Sequence, residues 1–139
     1  MAELNLVERV IALEGVDLLQ NLNPDQLSRV ASIATEVRHA EGQVILQPSV
    51  PLDALYVVLD GSVELSQNGE AVHTAKQNDV LGAWGLFDSE PMPLTAKTLE
   101  ETRLLKIGRE DFFEVLSDNV EIAAAVFSTL VKRFRRLVG

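Results

Sequence analysis

The sequence predicts an α+β fold: a jelly-roll-like antiparallel β-roll flanked by N-terminal and C-terminal helices. Three observations predict it. Helical apolar spacing occupies the first part of the chain and returns after Gly108. Between these stretches the chain breaks into many short apolar segments with turn residues between them, the pattern of a sandwich or barrel. The 139 residues, 47% hydrophobic and 24% charged, suffice for one ordinary core. One domain over residues 1–139 is expected, with helices over about 4–39, the roll over about 42–108 and C-terminal helices over about 109–138.

Residues 4–20 read as helical, with Leu6, Val10 and Leu13 on one side and Glu8, Arg9 and Glu14 elsewhere. A second helix starts sharply. Asn23 is a good N-cap, Pro24 suits the first helical position, and Gln26 completes a capping box. Leu27, Val30, Ala31 and Ala34 follow as an apolar stripe.

The period changes at Gly42. VILQ leads into a Pro-Ser-Val-Pro turn, and LYVVL ends at Asp60-Gly61. SVELS alternates, with Val63 and Leu65 inward against Ser62, Glu64 and Ser66. Asn68-Gly69 is a strong type I′ hairpin signal. AVHTA, VLGAW, LTAKTL and TRLLKI complete the set. REDFFEVL is then a short helix, and Asp118 or Asn119 caps a longer one over VEIAAAVFSTLVKRFRRLV.

Composition excludes several function classes. The chain has no cysteine, which removes disulfides and thiolate metal sites. A net charge of −9 makes a poor general polyanion binder. No apolar run approaches the roughly 18 residues of a membrane span, and Glu3 and Glu8 disqualify the N-terminus as a signal peptide. His39 and His73 lack the His-x-His pattern of a jelly-roll metalloenzyme and read as surface histidines. No serine stands in a Gly-x-Ser-x-Gly setting. The expectation is a non-enzyme without metal or cofactor.

The order helix, β-roll, helix resembles the cyclic-nucleotide-binding domain of catabolite activator protein and of protein kinase A regulatory subunits. The residues that carry the resemblance are Gly42-Gln-Val-Ile, Asp53-Ala-Leu-Tyr-Val-Val-Leu-Asp-Gly61-Ser-Val, Asp79-Val-Leu-Gly82 and Leu104-Leu-Lys-Ile-Gly-Arg-Glu-Asp-Phe112. In order and with few gaps, they cover roughly residues 18–137. The resemblance implies a phosphate-binding cassette over Gly82, Ala83, Trp84, Gly85 and Leu86, continuing at Met92, Pro93, Leu94 and Thr95.

In the family, a short helix presents backbone amides to the cyclic phosphate, a Glu holds the ribose and an Arg neutralises the phosphate. Aligned without gaps, Ala83 stands at the Glu position and Met92 at the Arg position, followed by Pro93 and Leu94. A charge-assisted hydrogen bond contributes about 1.5–3 kcal/mol. Losing both side chains removes about 4–6 kcal/mol, three or more decades of affinity. The cassette is therefore read as degenerate, either altered for another small ligand of unknown identity or filled by its own Trp84 and Met92. A cyclic-nucleotide sensor using amides at 84–86 and the Thr95 hydroxyl is the first alternative.

In the last helix, Val120, Ala124, Phe127, Val131, Phe134 and Val138 alternate spacings of four and three, a coiled-coil seam. The same stripe serves equally to pack on the roll, so homodimerisation and internal packing are both expected readings. A pure dimerisation module is the second alternative. Phe112, Phe113 and Phe127 are expected as the hinge that transmits any signal. Lys132, Arg133, Arg135 and Arg136 suit the helix C-terminus. No helix-turn-helix pattern occurs in these residues, so no nucleic-acid contact is expected of this domain. The expected setting is cytoplasmic, with any membrane contact made through a parent protein.

Overall fold

The computed structural model describes residues 3–87, 91 and 93–138, with Trp84 and Gly85 described in backbone only. The chain opens with α1 (Leu6–Glu14) and closes that helix at Gly15. A 3-10 turn over Asp17–Leu19 follows, so the helix expected over 4–20 is broken in the middle. Helix α2 (Pro24–Ile33) starts on the expected capping box: the Asn23 side chain accepts from the Gln26 amide, and the Gln26 side chain accepts from the Asn23 amide, both at 2.9 Å. Asn5 and Glu8 form a second box at the head of α1.

The helical expectation to residue 39 is corrected. Ala34 turns extended, and β1 (Thr35–His39) pairs antiparallel with β8 (Thr102–Gly108) over its whole length. Val37 faces the roll interior and stabilises the strand by packing, which a local helical spacing cannot reveal.

The remaining strands are β2 (Val44–Leu46), β3 (Ala54–Asp60), β4 (Val63–Gln67), β5 (Glu70–Ala75), β6 (Val80–Leu81) and β7 (Thr95–Thr98). They form two four-stranded antiparallel sheets, ordered β1-β8-β3-β6 and β2-β7-β4-β5. The hairpin between β4 and β5 turns at Asn68 and Gly69, with φ of 53° and 83°, as a type I′ turn requires.

The first sheet is a middle layer, buried on both faces. Leu55, Val57, Leu105 and Ile107 pack toward the helices. Val58 and Leu104 face the second sheet and meet Val63, Ala75 and Ala96. Burial on both faces explains why β3 and β8 read as nearly continuous apolar runs. The second sheet exposes most of β5. Ser62, expected outward, is buried: its hydroxyl donates to Glu100 Oε2 at 2.8 Å across the neighbouring turn.

Helix α3 (Arg109–Asp118) follows β8 directly, and α4 (Val120–Val138) follows α3. Asn119 supplies its carbonyl to the amides of Ile122 and Ala123, while its side-chain amide donates to Val115. The face of α4 turned to the domain carries Ile122, Val126 and Thr129, and Asn21 donates to the buried Thr129 hydroxyl at 2.9 Å.

Candidate functional site

The approach to the cassette is a closed turn. The Asp79 amide donates to the Lys76 carbonyl, and the Asp79 carboxylate accepts from the Lys76 amide, both at 2.9 Å. Asn78 takes the left-handed conformation, φ 76°, that asparagine tolerates. Strand β6 then delivers Gly82 at φ 74°. A Cβ there would lie 2.9 Å from the Ala54 carbonyl and 3.1 Å from Leu52 Cδ2. Both the backbone angle and the close approach demand glycine. Gly82→Ala is expected to lower stability by about 2 kcal/mol, read as a shifted urea midpoint with an unchanged slope.

A single 3-10 turn over Ala83–Leu86 follows. Leu86 is fully buried and Ala83 partly so. Phe87 meets Phe112 edge-on at 6.2 Å and Phe113 at 6.5 Å, and the Arg109 guanidinium lies 5.2 Å from the Phe113 ring centre. The cassette turn is thus braced against α3. Phe127, expected in the same hinge, is not: it is 68% exposed on α4.

The far part of the cassette is described less fully. Met92 lies outside the described residues, as does the Trp84 side chain. Pro93 is exposed and Leu94 half-buried. Thr95 opens β7 opposite Ser66.

A cavity of about 220 Å³ opens beside this turn. Ile45 and Leu46 of β2, Leu52, Tyr56 of β3 and Leu94 supply much of its wall. Leu52 joins the cavity to Gly82, and Leu94 joins it to the second half of the cassette. The described lining holds one carboxylate, Asp53, and no Lys, Arg or His. Burial, reinforced by the Asp53 charge, pushes the Tyr56 phenol above its usual range, so the group stays a neutral donor. Such a wall repels a phosphodiester charge and offers no compensating cation.

A second cavity of about 500 Å³ lies on the other side of the turn, against α4. Ala83, Phe87, Leu18, Leu130 and Phe134 make it apolar, and Arg133, ion-paired with Asp17, stands in its wall. Ala83 therefore shares an apolar cavity wall with Leu130 and Phe134 of the last helix.

A family model, the cyclic nucleotide-binding domain, matches residues 36–119. The chain belongs to the cyclic nucleotide-binding domain family. It is 29% identical over 106 residues to a cAMP-dependent protein kinase regulatory subunit of Emericella nidulans, covering 75% of this chain and 26% of the relative. It is also 29% identical over 134 residues to the potassium channel AKT1 of Oryza sativa, covering 92% of this chain and 14% of the channel. The chain thus spans about a quarter of the one relative and about a seventh of the other. Among solved structures, it is similar to the N-terminal domain of a transcriptional regulator from Streptomyces coelicolor, with TM-score 0.86 and 27% identity over 91% of this chain and 94% of that one. A cyclic nucleotide-binding-like regulatory or sensor domain is the class these relatives share.

The structure separates the two stripes of α4. All six seam residues, Val120, Ala124, Phe127, Val131, Phe134 and Val138, are exposed, Phe127 and Phe134 at 68% and 64%. The reading in which this stripe packs on the roll is corrected: α4 turns Ile122, Val126 and Thr129 inward and lies against the 3-10 turn at Asp17–Leu19 and α3, and of the seam Phe134 also lines the second cavity. His39 contacts Gln43 at 3.0 Å and His73 is exposed, and no cluster of three metal-ligating side chains occurs among the described residues. Among them, no helix is long and apolar enough to cross a membrane.

Sequence reasoning missed Ile45, Leu46 and Tyr56 as cavity walls, because sheet packing alone assembles them. It also missed the second cavity, whose one sequence signal is the run of apolar residues shared between α4 and the cassette.

Proposed function

We propose that this domain is a non-catalytic regulatory module of a longer, cytoplasmic protein or protein segment, that it does not take cyclic AMP or cyclic GMP by the family's usual contacts, and that it self-associates through the outward stripe of α4. One observation carries the ligand reading: the cavity lined by Leu52, Tyr56 and Leu94 offers Asp53 and no cation among its described lining residues, and the one cation in the wall of the second cavity, Arg133, is already ion-paired with Asp17. Its volume, about 220 Å³, is also below the roughly 300–1,000 Å³ of ordinary small-molecule pockets. The output is carried by α3, which the cassette grips through Phe87.

A thermal-shift titration tests the ligand reading. A micromolar site would gain about 4 kcal/mol at millimolar ligand, a rise of roughly 14 °C for a chain of this size. The expected rise with either nucleotide at about 1 mM is at most about 1 °C, because a site weakened to millimolar affinity gains only about 0.4 kcal/mol. A rise of several degrees overturns the reading.

A sensor with atypical contacts is the second reading. It is favoured by the left-handed Gly82 and the single turn after it, a backbone form in which amides at 84–86 can serve as donors. The same titration decides between them.

A further inference from the structure

We infer that the cavity between the cassette turn and α4 binds an uncharged lipophilic molecule, and that Asp17 makes it refuse an anion. The site lies apart from the cavity read above for nucleotides, so the two readings fail separately. None of its described walls is a strand residue.

Its walls follow from helical spacing and one close approach. Leu130, Arg133, Phe134 and Leu137 stand at i, i+3, i+4 and i+7 and share one side of α4. Leu18 of the 3-10 turn, with Ala83 and Phe87 of the cassette region, completes the wall. The volume, about 500 Å³, lies within the roughly 300–1,000 Å³ of ordinary small-molecule pockets. Phe134 and Leu137 are largely exposed, so a seated apolar ligand takes two large side chains out of water.

Charge decides the class of ligand. Arg133 is the one charged group among the described lining residues. Its Nη2 donates to Asp17 Oδ2, and Asp17 belongs to the same 3-10 turn as Leu18. The carboxylate itself is not among the described lining residues, so the guanidinium is answered from outside the cavity. An anion entering would leave its hydration for an apolar wall and find the cation already paired. An uncharged ligand meets neither penalty.

The site also joins the parts that a regulatory module must couple. A ligand seated there touches the cassette region at Ala83 and Phe87 and the last helix at Leu130 and Phe134. Phe87 in turn meets Phe112 and Phe113 of α3.

Two matched fluorophores test the inference on the whole chain. N-phenylnaphthylamine is uncharged and brightens in apolar surroundings. Anilinonaphthalene sulfonate is the same ring system with a sulfonate added. The first should bind saturably, one per chain, with a dissociation constant on the order of tens of micromolar. The second should bind about tenfold more weakly. Leu137→Glu should weaken the uncharged probe by about tenfold. Leu137 is 85% exposed and stands outside the six-residue seam, so neither misfolding nor lost pairing accounts for that change. Phe127→Glu alters the seam and not the described wall, and should leave the probe bound as before. Asp17→Asn frees the guanidinium and should strengthen the sulfonate probe about two- to fivefold, the worth of an exposed ion pair.

Equal binding of the two probes, or no response to Asp17→Asn, overturns the role of Asp17. Binding that never saturates overturns the site, as does binding that Phe127→Glu abolishes and Leu137→Glu spares. Displacement of the probe as the chain concentration rises assigns the cavity to a second copy and overturns the small-molecule reading. Amide exchange adds a readout of place: the bound probe should slow residues 83–87 and 130–137 together, and protection of neither segment overturns the inference.

Discussion

Phe112→Ala is expected to lower the stability of the domain by about 3–5 kcal/mol, a large share of the roughly 5–15 kcal/mol that holds a domain folded. Phe112 is wholly buried and is the largest of the fully buried side chains among the described residues. It stands in the first turn of α3 and packs into the core between the helices and the middle sheet. Truncation loses the transfer free energy of the ring and leaves a cavity that β8 and α3 cannot both collapse into. It also removes the edge-on partner of Phe87 at 6.2 Å, a contact worth about 0.5–1.5 kcal/mol beyond its area.

Phe113→Ala is the internal comparison. That ring is 39% exposed and lies under Arg109, so its loss should be much the smaller. Urea unfolding of the two variants measures the difference. Amide exchange at residues 83–86 should quicken in Phe112→Ala, because the brace on the cassette turn is gone. Equal losses for the two variants would contradict the account of how α3 holds the cassette.

Much of this architecture is legible from short-range chemistry. Asn23, Pro24 and Gln26 announce a helix because a cap satisfies amides within one turn. Asn68-Gly69 announces a hairpin because both residues tolerate positive φ. LYVVL and TRLLKI read as strands because a middle sheet asks for apolar residues on both faces. Strand β1 was hidden for the opposite reason. TEVRH has one large apolar side chain, and its pairing partner lies more than sixty residues along the chain, at Thr102–Gly108.

The site was legible only in part. The resemblance places Ala83 and Met92 where the family's charged pair stands, which is a statement about residue types. The walls supplied by Ile45, Leu46 and Tyr56 belong to different strands and carry no common local pattern. Helix α4 presents a subtler case. Its spacing yields a seam, yet Ile122, Val126 and Leu130 are apolar too, and periodicity cannot say which stripe turns inward. Tertiary packing makes that choice, and it leaves Phe127 and Phe134 in water.

Arg103→Met is expected to cost about 3 kcal/mol, because it strands a buried carboxylate. Arg103 Nη2 lies 2.8 Å from Glu36 Oε1, with the two side chains only 15% and 2% exposed. The residues are diagonal neighbours on β8 and β1, since Arg103 pairs with Arg38 and Glu36 with Leu105. The Leu4 amide donates to the second Glu36 oxygen at 3.3 Å, so the pair also tethers the chain ahead of α1. Removing the guanidinium leaves a nearly buried carboxylate without its cation, and that desolvation dominates the loss. Glu36→Leu should cost less, because a long arginine side chain with 15% exposure can carry its charge outward. The double variant should be more stable than Arg103→Met alone, since two apolar side chains of similar volume replace the pair without an orphaned charge. A cycle of the four proteins in urea measures the coupling. Independent, additive losses would mean that the two groups do not act as a pair and that β1 is held to β8 by its backbone ladder and Val37 alone.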